Sequence, residues 1–169
     1  MEIRKLIPKD AEAYLKIRLQ ALQDCPEAFG SSFEEEKEDT AEKYRTRFST
    51  HQPVITFGAF DEEEHLMGVV TLRREHLMKL KHRANVVAMY VKKEKWGAGV
   101  GKALLDVLLT EVRSVSGLEQ IYLTVVTTNE RAIRLYKSAG FEVFATENRA
   151  LKVGADYFDE HHMVLFLLS

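Results

Sequence analysis

The stretch that decides the fold covers residues 89–105 and reads MYVKKEKWGAGVGKALL. The uncharged run at residues 86–91 predicts a buried strand that leads into it. Apolar residues at helical spacing between Val100 and Val115 predict a helix that begins inside the glycine run. Glycine lets the backbone approach a ligand closely, and the free N–H groups of a first helical turn attract anions. A strand, a glycine turn and a helix N-terminus in this order therefore predict a phosphate site.

The spacing of the glycines separates the kinds of phosphate loop. A Walker A loop would need glycine where Trp96 stands and Ser or Thr where Ala103 stands. The dinucleotide fingerprint would need its third glycine at Lys102 or Leu104. The spacing therefore disfavours a Walker A loop, and neither register of the glycines fits the dinucleotide fingerprint. A helix start whose glycines serve only close packing stays open.

Two motifs together resemble the GNAT N-acetyltransferase superfamily. Its acyl-CoA pyrophosphate loop reads Gln or Arg, two residues, Gly, one residue, then Gly or Ala. Gly99 and Gly101 match the last two places, while Trp96 departs from the first. Residues 129–141, NERAIRLYKSAGF, are similar to the later motif of Asn, Ala, Leu-Tyr and Gly-Phe. The resemblance covers residues 89–141.

The resemblance implies a mixed α/β fold, with a central, twisted, mostly antiparallel sheet and a parallel strand–helix–strand crossover. The expected order is β-α-α-β-β-β-α-β-α-β-β. It implies acetyl-CoA as co-substrate, with Asn129 on the pantetheine arm and Tyr136 facing the thioester sulfur as general acid. The remaining cofactor contacts expected are the thioester strand and the diphosphate loop: Met89, Tyr90, Val91, Trp96, Gly97, Ala98, Gly99, Val100, Gly101 and Lys102.

The general base is left open by the sequence. An amine with a pKa of roughly 10 must lose a proton before it attacks the thioester. Several members of the superfamily carry glutamate where this chain has Asn85. Glu27, Glu75, His76 or a water chain could serve instead. Glu27, Phe29 and Asn85 are the residues expected near the acceptor. No covalent intermediate is implied, so Cys25 is not expected to be a nucleophile.

Composition predicts one domain over residues 1–169. Hydrophobic residues make up 46% and charged residues 30%, as in ordinary globular proteins. The net charge of -2 argues against a nucleic-acid partner. The longest apolar run is too short to cross a membrane, and a lone Cys25 suits a cytoplasmic protein. A metal is not expected, because His161 and His162 are neighbours on a predicted strand and face opposite sides.

The predicted function is acetyl transfer from acetyl-CoA to a primary amine, by direct attack in a ternary complex. The expected acceptor is either a small-molecule amine or a protein amine. The acidic run at residues 34–39 is either a solvated helix face or a rim that attracts a cationic amine. The alternatives are a non-catalytic acyl-CoA sensor or scaffold and a nucleotide-binding regulatory module. A homodimer stays open.

Overall fold

A single seven-stranded sheet organises the computed structural model, which describes residues 1–50 and 53–167. The strands lie in the order β1-β2-β3-β4-β5-β7-β6. Their bounds are β1 Glu2–Lys5, β2 Val54–Phe60, β3 Leu66–Arg74, β4 Arg83–Val91, β5 Gln120–Val126, β6 Glu142–Val153 and β7 Asp156–Phe166. Every neighbouring pair is antiparallel except β4 and β5, which are parallel. The predicted sheet with one parallel crossover is confirmed.

Five α-helices connect these strands: α1 Ala11–Asp24, α2 Phe33–Glu36, α3 Ala41–Ser49, α4 Val100–Ser114 and α5 Glu130–Ser138. The elements follow the predicted order with one difference. The second predicted helix is broken into α2 and α3, because Thr40 takes extended dihedral angles (φ −111°, ψ 160°) where it begins α3. No helix in the described part of the chain is both long enough and apolar enough to span a bilayer.

The parallel pairing of β4 and β5 is short, and this opens the sheet. It joins Arg83 to Gln120, Ala84 to Ile121 and Asn85 to Tyr122, and no further. Beyond these pairs the two strands separate toward their carboxyl ends. Ligands of α/β sheets bind beyond the carboxyl ends of parallel strands.

A β-bulge in β4 accompanies this separation. The register between β3 and β4 shifts between Val69 and Thr71, where three steps along β4 oppose two along β3. Ala88 lies within the bulge and has a φ of +52°, a left-handed value that is unfavourable for a residue with a side chain. Such strain is retained where the surroundings over-determine the backbone, which is common at functional sites.

Two hydrophobic clusters cover the two faces of the sheet. The larger packs α4 and α5 against one face, with Leu104, Leu108 and Val112 at most 1% exposed. A Cβ on Gly68 of β3 would lie 3.1 Å from Leu104 Cδ1, so glycine permits the close approach of α4. The smaller cluster packs α1 and α3 against the other face around Tyr14. The sheet is thus a middle layer between the two groups of helices.

Candidate active site

One cavity of about 1040 Å³ passes through the opening between β4 and β5. Its wall is formed by the glycine loop, the bulged half of β4, the carboxyl end of β5 and one side of α5. On the other side of the sheet the wall continues along α1, the turn after it, and α3. The cavity therefore connects the glycine loop with a second compartment across the sheet.

The glycine loop has the geometry of an anion site. Gly97 and Gly99 have φ values of +81° and +79°, and an added Cβ on either would meet no atom within 4 Å. The first main-chain bond of α4 runs from the N–H of Ala103 to the oxygen of Gly99, 3.0 Å. The three preceding amides, of residues 100–102, have no acceptor within the helix and carry the positive end of its dipole.

The wall includes nearly all of the residues predicted for the diphosphate loop: Trp96, Gly97, Gly99, Val100, Gly101 and Lys102. Ala98 is not on the wall. The Lys102 ammonium lies 2.6 Å from the carboxylate of Asp106 and is mostly exposed. The loop therefore offers main-chain amides more than a free lysine charge.

Trp96 has a structural role that its place in the motif did not reveal. Its indole Nε1 donates a hydrogen bond of 2.8 Å to the oxygen of Val91, the last residue of β4. The Arg131 guanidinium stacks on its ring, with Cζ 3.6 Å from the centroid. Arg131 lines the cavity and forms no ion pair with any residue the structure describes. The sequence analysis missed Arg131, because no local pattern relates it to Trp96.

Tyr136 lies on the wall inside the sheet opening. It is 6% exposed, and its ring packs edge to face on Phe141 at 6.0 Å. Burial raises the pKa of Tyr136 to about 12, because the phenolate would be poorly solvated. The hydroxyl therefore keeps its proton and can donate a hydrogen bond throughout the physiological pH range.

Asn129 and the bulged strand complete the cofactor side. The Asn129 side-chain oxygen accepts a hydrogen bond of 3.2 Å from the N–H of Ala132, as the N-cap of α5, and Asn129 also lines the cavity. Met89, Tyr90 and Val91 line it as well. The N-cap role and a ligand-facing position are therefore compatible.

Tyr90 additionally ties β4 to α1. Its hydroxyl donates a hydrogen bond of 2.7 Å to the Asp24 carboxylate, and burial together with this bond raises the pKa of Tyr90. The link fixes the end of α1, and hence the turn that follows, against the bulged strand. This bond was not anticipated from the sequence.

The structure separates the residues expected near the acceptor. Glu27 and Phe29, in the turn after α1, line the cavity. Asn85 does not. It lies where β4 still pairs with β5, and its amide donates a hydrogen bond of 2.9 Å to Glu75. Glu75 and His76 are also outside the wall, so Glu27 is the one residue of the candidate bases that lines the cavity.

Cys25 lines the cavity beside Glu27. Burial, and then the nearby Glu27 carboxylate, raise the pKa of the Cys25 thiol. A thiol attacks as its thiolate, so these surroundings disfavour a nucleophilic cysteine.

The acidic run is largely occupied by its own partners. Glu36 accepts two hydrogen bonds of 2.9 Å from Arg18, and Asp39 lies 2.6 Å from Lys43. Glu34 pairs with Lys37, and Glu35 accepts a hydrogen bond of 2.8 Å from the N–H of Ser32. Of the run, only Glu36 lines the cavity. These contacts weaken the hypothesis of a negative rim that draws in a cationic amine.

Possible metal ligands come together elsewhere, on the β6–β7 hairpin. Glu147, Glu160 and His162 place ligand atoms within 4.8 Å of one another, and His162 Nε2 lies 3.0 Å from the Glu147 carboxylate. None of the three lines the cavity. The cluster is formed by pairing across the hairpin, which the sequence spacing of the histidines did not predict.

A family model described as the acetyltransferase (GNAT) domain matches residues 3–162. The chain belongs to the GNAT acetyltransferase family. The match confirms the resemblance drawn from the two motifs. It also extends the resemblance from residues 89–141 to almost the whole chain.

Individual GNAT relatives agree with this assignment. A mycothiol acetyltransferase of Segniliparus rotundus is 31% identical over 141 residues, which are 83% of this chain and 51% of the relative. The chain thus spans about half the length of that relative. A GNAT-family acetyltransferase from Streptococcus pneumoniae has the same fold, with a TM-score of 0.86 and 21% sequence identity. The alignment covers 98% of this chain and 99% of the Streptococcus pneumoniae chain.

A second solved structure of the same fold contains the expected co-substrate. It is yncA from Salmonella typhimurium, determined with its cofactor acetyl-CoA, and it has a TM-score of 0.86 at 20% identity. The alignment covers 100% of this chain and 95% of the yncA chain. At this identity the likeness establishes the fold, and it agrees with the GNAT assignment.

Proposed function

We propose that the protein transfers an acetyl group from acetyl-CoA to a primary amine by direct attack in a ternary complex. One observation carries the proposal: the glycine loop, the opening between β4 and β5, and Tyr136 share a single cavity. Such a cavity can hold a phosphate-bearing thioester on one side of the sheet and an amine on the other. The reacting atoms then meet inside the sheet.

The amides of residues 100–102 bind the diphosphate, and Arg131 supplies a cation beside them. The Gln or Arg usual at the start of this loop is absent, and Trp96 stands there. The stacked pair brings a guanidinium to the same end of the cavity from α5 instead. A cation held on an aromatic face near phosphate oxygens attracts them electrostatically, so the Gln or Arg at the start of the loop is not needed for this.

The acetyl carbonyl lies against the bulged strand. Main-chain N–H groups near residues 89–91 can stabilise negative charge on the carbonyl oxygen as the amine attacks. The C–N bond forms, the C–S bond breaks, and the sulfur departs as thiolate. Tyr136 donates its hydrogen bond to that sulfur.

The pKa of Tyr136 constrains how the proton moves. A thiol has a pKa near 8.5, so a tyrosine with a pKa of about 12 would give its proton to the thiolate against a difference of about 3.5 pKa units. Tyr136 therefore stabilises the departing thiolate mainly as a hydrogen-bond donor. The ammonium form of the acceptor loses a first proton to the general base before it attacks, and the nitrogen loses a second proton after the C–N bond has formed. This second proton protonates the sulfur and balances the reaction.

Glu27 accepts the amine proton in this proposal. The carboxylates on the described part of the wall belong to Glu27 and Glu36, and Arg18 occupies both oxygens of Glu36. Glu27 forms no ion pair among the described residues, so it remains free to act directly or through water.

The proposal is tested by thermal unfolding and by thiol release. Acetyl-CoA at 100 times its dissociation constant should raise the free energy of unfolding by about 2.7 kcal/mol, while ATP and NAD should not change it. Thiol release with a panel of amines should then identify a turned-over acceptor. Binding of acetyl-CoA without release for any amine would favour an acyl-CoA sensor. Stabilisation by ATP alone would point to a nucleotide-binding module.

A further inference from the structure

We infer that the amine acceptor also carries an oxyanion, such as a carboxylate, and that Arg47 of α3 binds it. The inference rests on the proposed function and specifies its acceptor. The acidic run suggested a cationic amine as acceptor. The inference instead expects an amine that carries a negative group in the same molecule. Amino acids and aminoalkyl phosphonates belong to this chemical class.

Arg47 is held in a fixed position by aromatic rings. Its Cζ lies 4.9 Å from the ring centroid of Tyr14, 5.1 Å from that of Tyr44 and 5.2 Å from that of Phe48. Its Nη2 donates a hydrogen bond of 3.3 Å to the hydroxyl of Thr56. A guanidinium restrained in this way loses little freedom when it binds a ligand.

The charge of Arg47 is not neutralised by the described part of the protein. Arg47 forms no ion pair there, and its Nε is shielded from water without a hydrogen-bond acceptor. Two other arginines nearby have partners. Arg18 is bound to Glu36, and Arg45 is bound to both Glu12 and Glu42. Of these three arginines, Arg47 is therefore the one that lies on aromatic rings without a carboxylate partner among the described residues.

Arg47 lies on the cavity wall, in the compartment across the sheet from α4. Thr71 and Arg73 of β3 line the same cavity. The hydroxyls of Thr71 and Thr56 are 2.8 Å apart and both residues are buried, so this floor is polar but uncharged. On the cavity wall, a ligand oxyanion would find the Arg47 guanidinium, and also the Thr71 hydroxyl when Thr56 donates the hydrogen bond between the two threonines.

The balance of charge in this compartment favours an anion. The wall cations there are Arg18, Lys43, Arg47 and Arg73, and the wall carboxylates are Glu27 and Glu36. Arg18 is neutralised by Glu36, and Lys43 by Asp39. Two cations then remain against one carboxylate. Glu27 can take the ammonium end of the acceptor while Arg47 takes the negative end.

Matched acceptor pairs test this inference. Each pair has the same amine, once with a free carboxylate and once as the carboxamide, and an aminoalkyl phosphonate forms a third arm. We expect wild-type kcat/KM to favour an oxyanion acceptor by about 10–100-fold, as for hydrogen bonds to charged groups. Whether the carboxylate or the phosphonate is preferred identifies the oxyanion.

The variant Arg47→Gln should remove this preference by lowering kcat/KM for the oxyanion acceptor alone. Arg47→Lys, which keeps a cation over the rings but loses the planar fork, should retain part of it. Arg45→Gln, on the same helix and away from the cavity wall, is the matched control and should behave as wild type. Acetyl-CoA affinity should be the same in all four proteins, which also reports correct folding.

Two results would overturn the inference: equal turnover of acid and amide by the wild type, or a preference that survives Arg47→Gln. Failure of the proposed function looks different. In that case no amine releases thiol in any variant, whatever charge the amine carries.

Discussion

Replacing Tyr136 by phenylalanine removes one oxygen from a residue that lines the cavity. The ring and its edge-to-face contact with Phe141 at 6.0 Å remain. None of the described residues forms a hydrogen bond with the Tyr136 hydroxyl, so folding loses no bond. We expect the free energy of unfolding to change by less than about 1 kcal/mol. The effect should fall on chemistry.

The size of the effect follows from the role of the hydroxyl. A hydrogen-bond donor positioned where charge develops contributes about 10²–10³ in rate, which corresponds to about 2.7–4 kcal/mol of activation free energy. We expect kcat of Tyr136→Phe to fall within this range. The dissociation constant of acetyl-CoA should stay within about twofold of wild type, because the hydroxyl acts on the departing sulfur.

The assay combines single-turnover thiol release with calorimetric titration of acetyl-CoA. Tyr122→Phe is the matched control, because it removes the same atom from a tyrosine whose hydroxyl bonds to Gln120 outside the cavity wall. That variant should turn over normally. Wild-type rates for Tyr136→Phe, or an equal loss in both variants, would refute the assignment.

The pH profile gives a second measurement of the same residue. Burial raises the pKa of Tyr136 to about 12, so the phenol stays protonated where an ordinary tyrosine, with a pKa of about 10, would ionise. Wild-type kcat should therefore show no loss attributable to this group up to about pH 10.5. A fall in kcat centred near pH 10 that disappears in Tyr136→Phe would contradict the raised pKa.

Substitutions at three further positions have defined outcomes. Gly99→Ala forces a side chain onto a backbone with a φ of +79°, which should lower the free energy of unfolding by about 1–2 kcal/mol in a thermal melt. Gly99→Glu places a carboxylate against the diphosphate and should abolish acetyl-CoA binding in calorimetry. Arg131→Gln should weaken acetyl-CoA binding about 5–15-fold at low salt and less at high salt, while Arg134→Gln, on the same helix, should leave it unchanged. Burial opposes ionisation of Asp10, but its bonds to Arg4 at 2.7 and 3.0 Å, the bond from the Ile7 N–H at 2.8 Å and the charge of Arg4 together outweigh burial and lower its pKa. The ionised Asp10 therefore stabilises the fold above the pKa of about 3.9 that it has in the unfolded chain, and this stabilisation is lost as pH falls through the lower pKa of the folded state. Asp10→Ala should cost about 1.5–3 kcal/mol of unfolding free energy, measured with urea at pH 7, and much less at pH 3.

Local sequence patterns predicted the elements well where the residues carried strong periodicity. The helix after the glycines begins at Val100, inside the run as predicted, and the β-branched residues of Gln120–Val126 form β5. The break between α2 and α3 was missed, because the charged residues around Thr40 have no apolar pattern that would mark an end. The first helix lies where the predicted order has it, and the Asp10 side chain before it bonds to Arg4 rather than capping the helix.

The cofactor half of the site followed from sequence because it is built largely from main-chain groups. A glycine turn before a helix predicts free amides whatever the distant side chains are, and Asn129 begins α5 by a local bond. Arg131 was the exception. Its contribution depends on stacking against Trp96, which is distant in sequence.

What the sequence by itself determined is the family, the order of the elements and the loop that suits a diphosphate. What only the tertiary structure decided is the acceptor side. There Arg47 meets aromatic rings from α1 and α3 and a threonine of β2, while the acidic run is occupied by its own cations. The physical reason is that a charge acts according to its partners, and the partners of a side chain are set by packing between elements far apart in the chain.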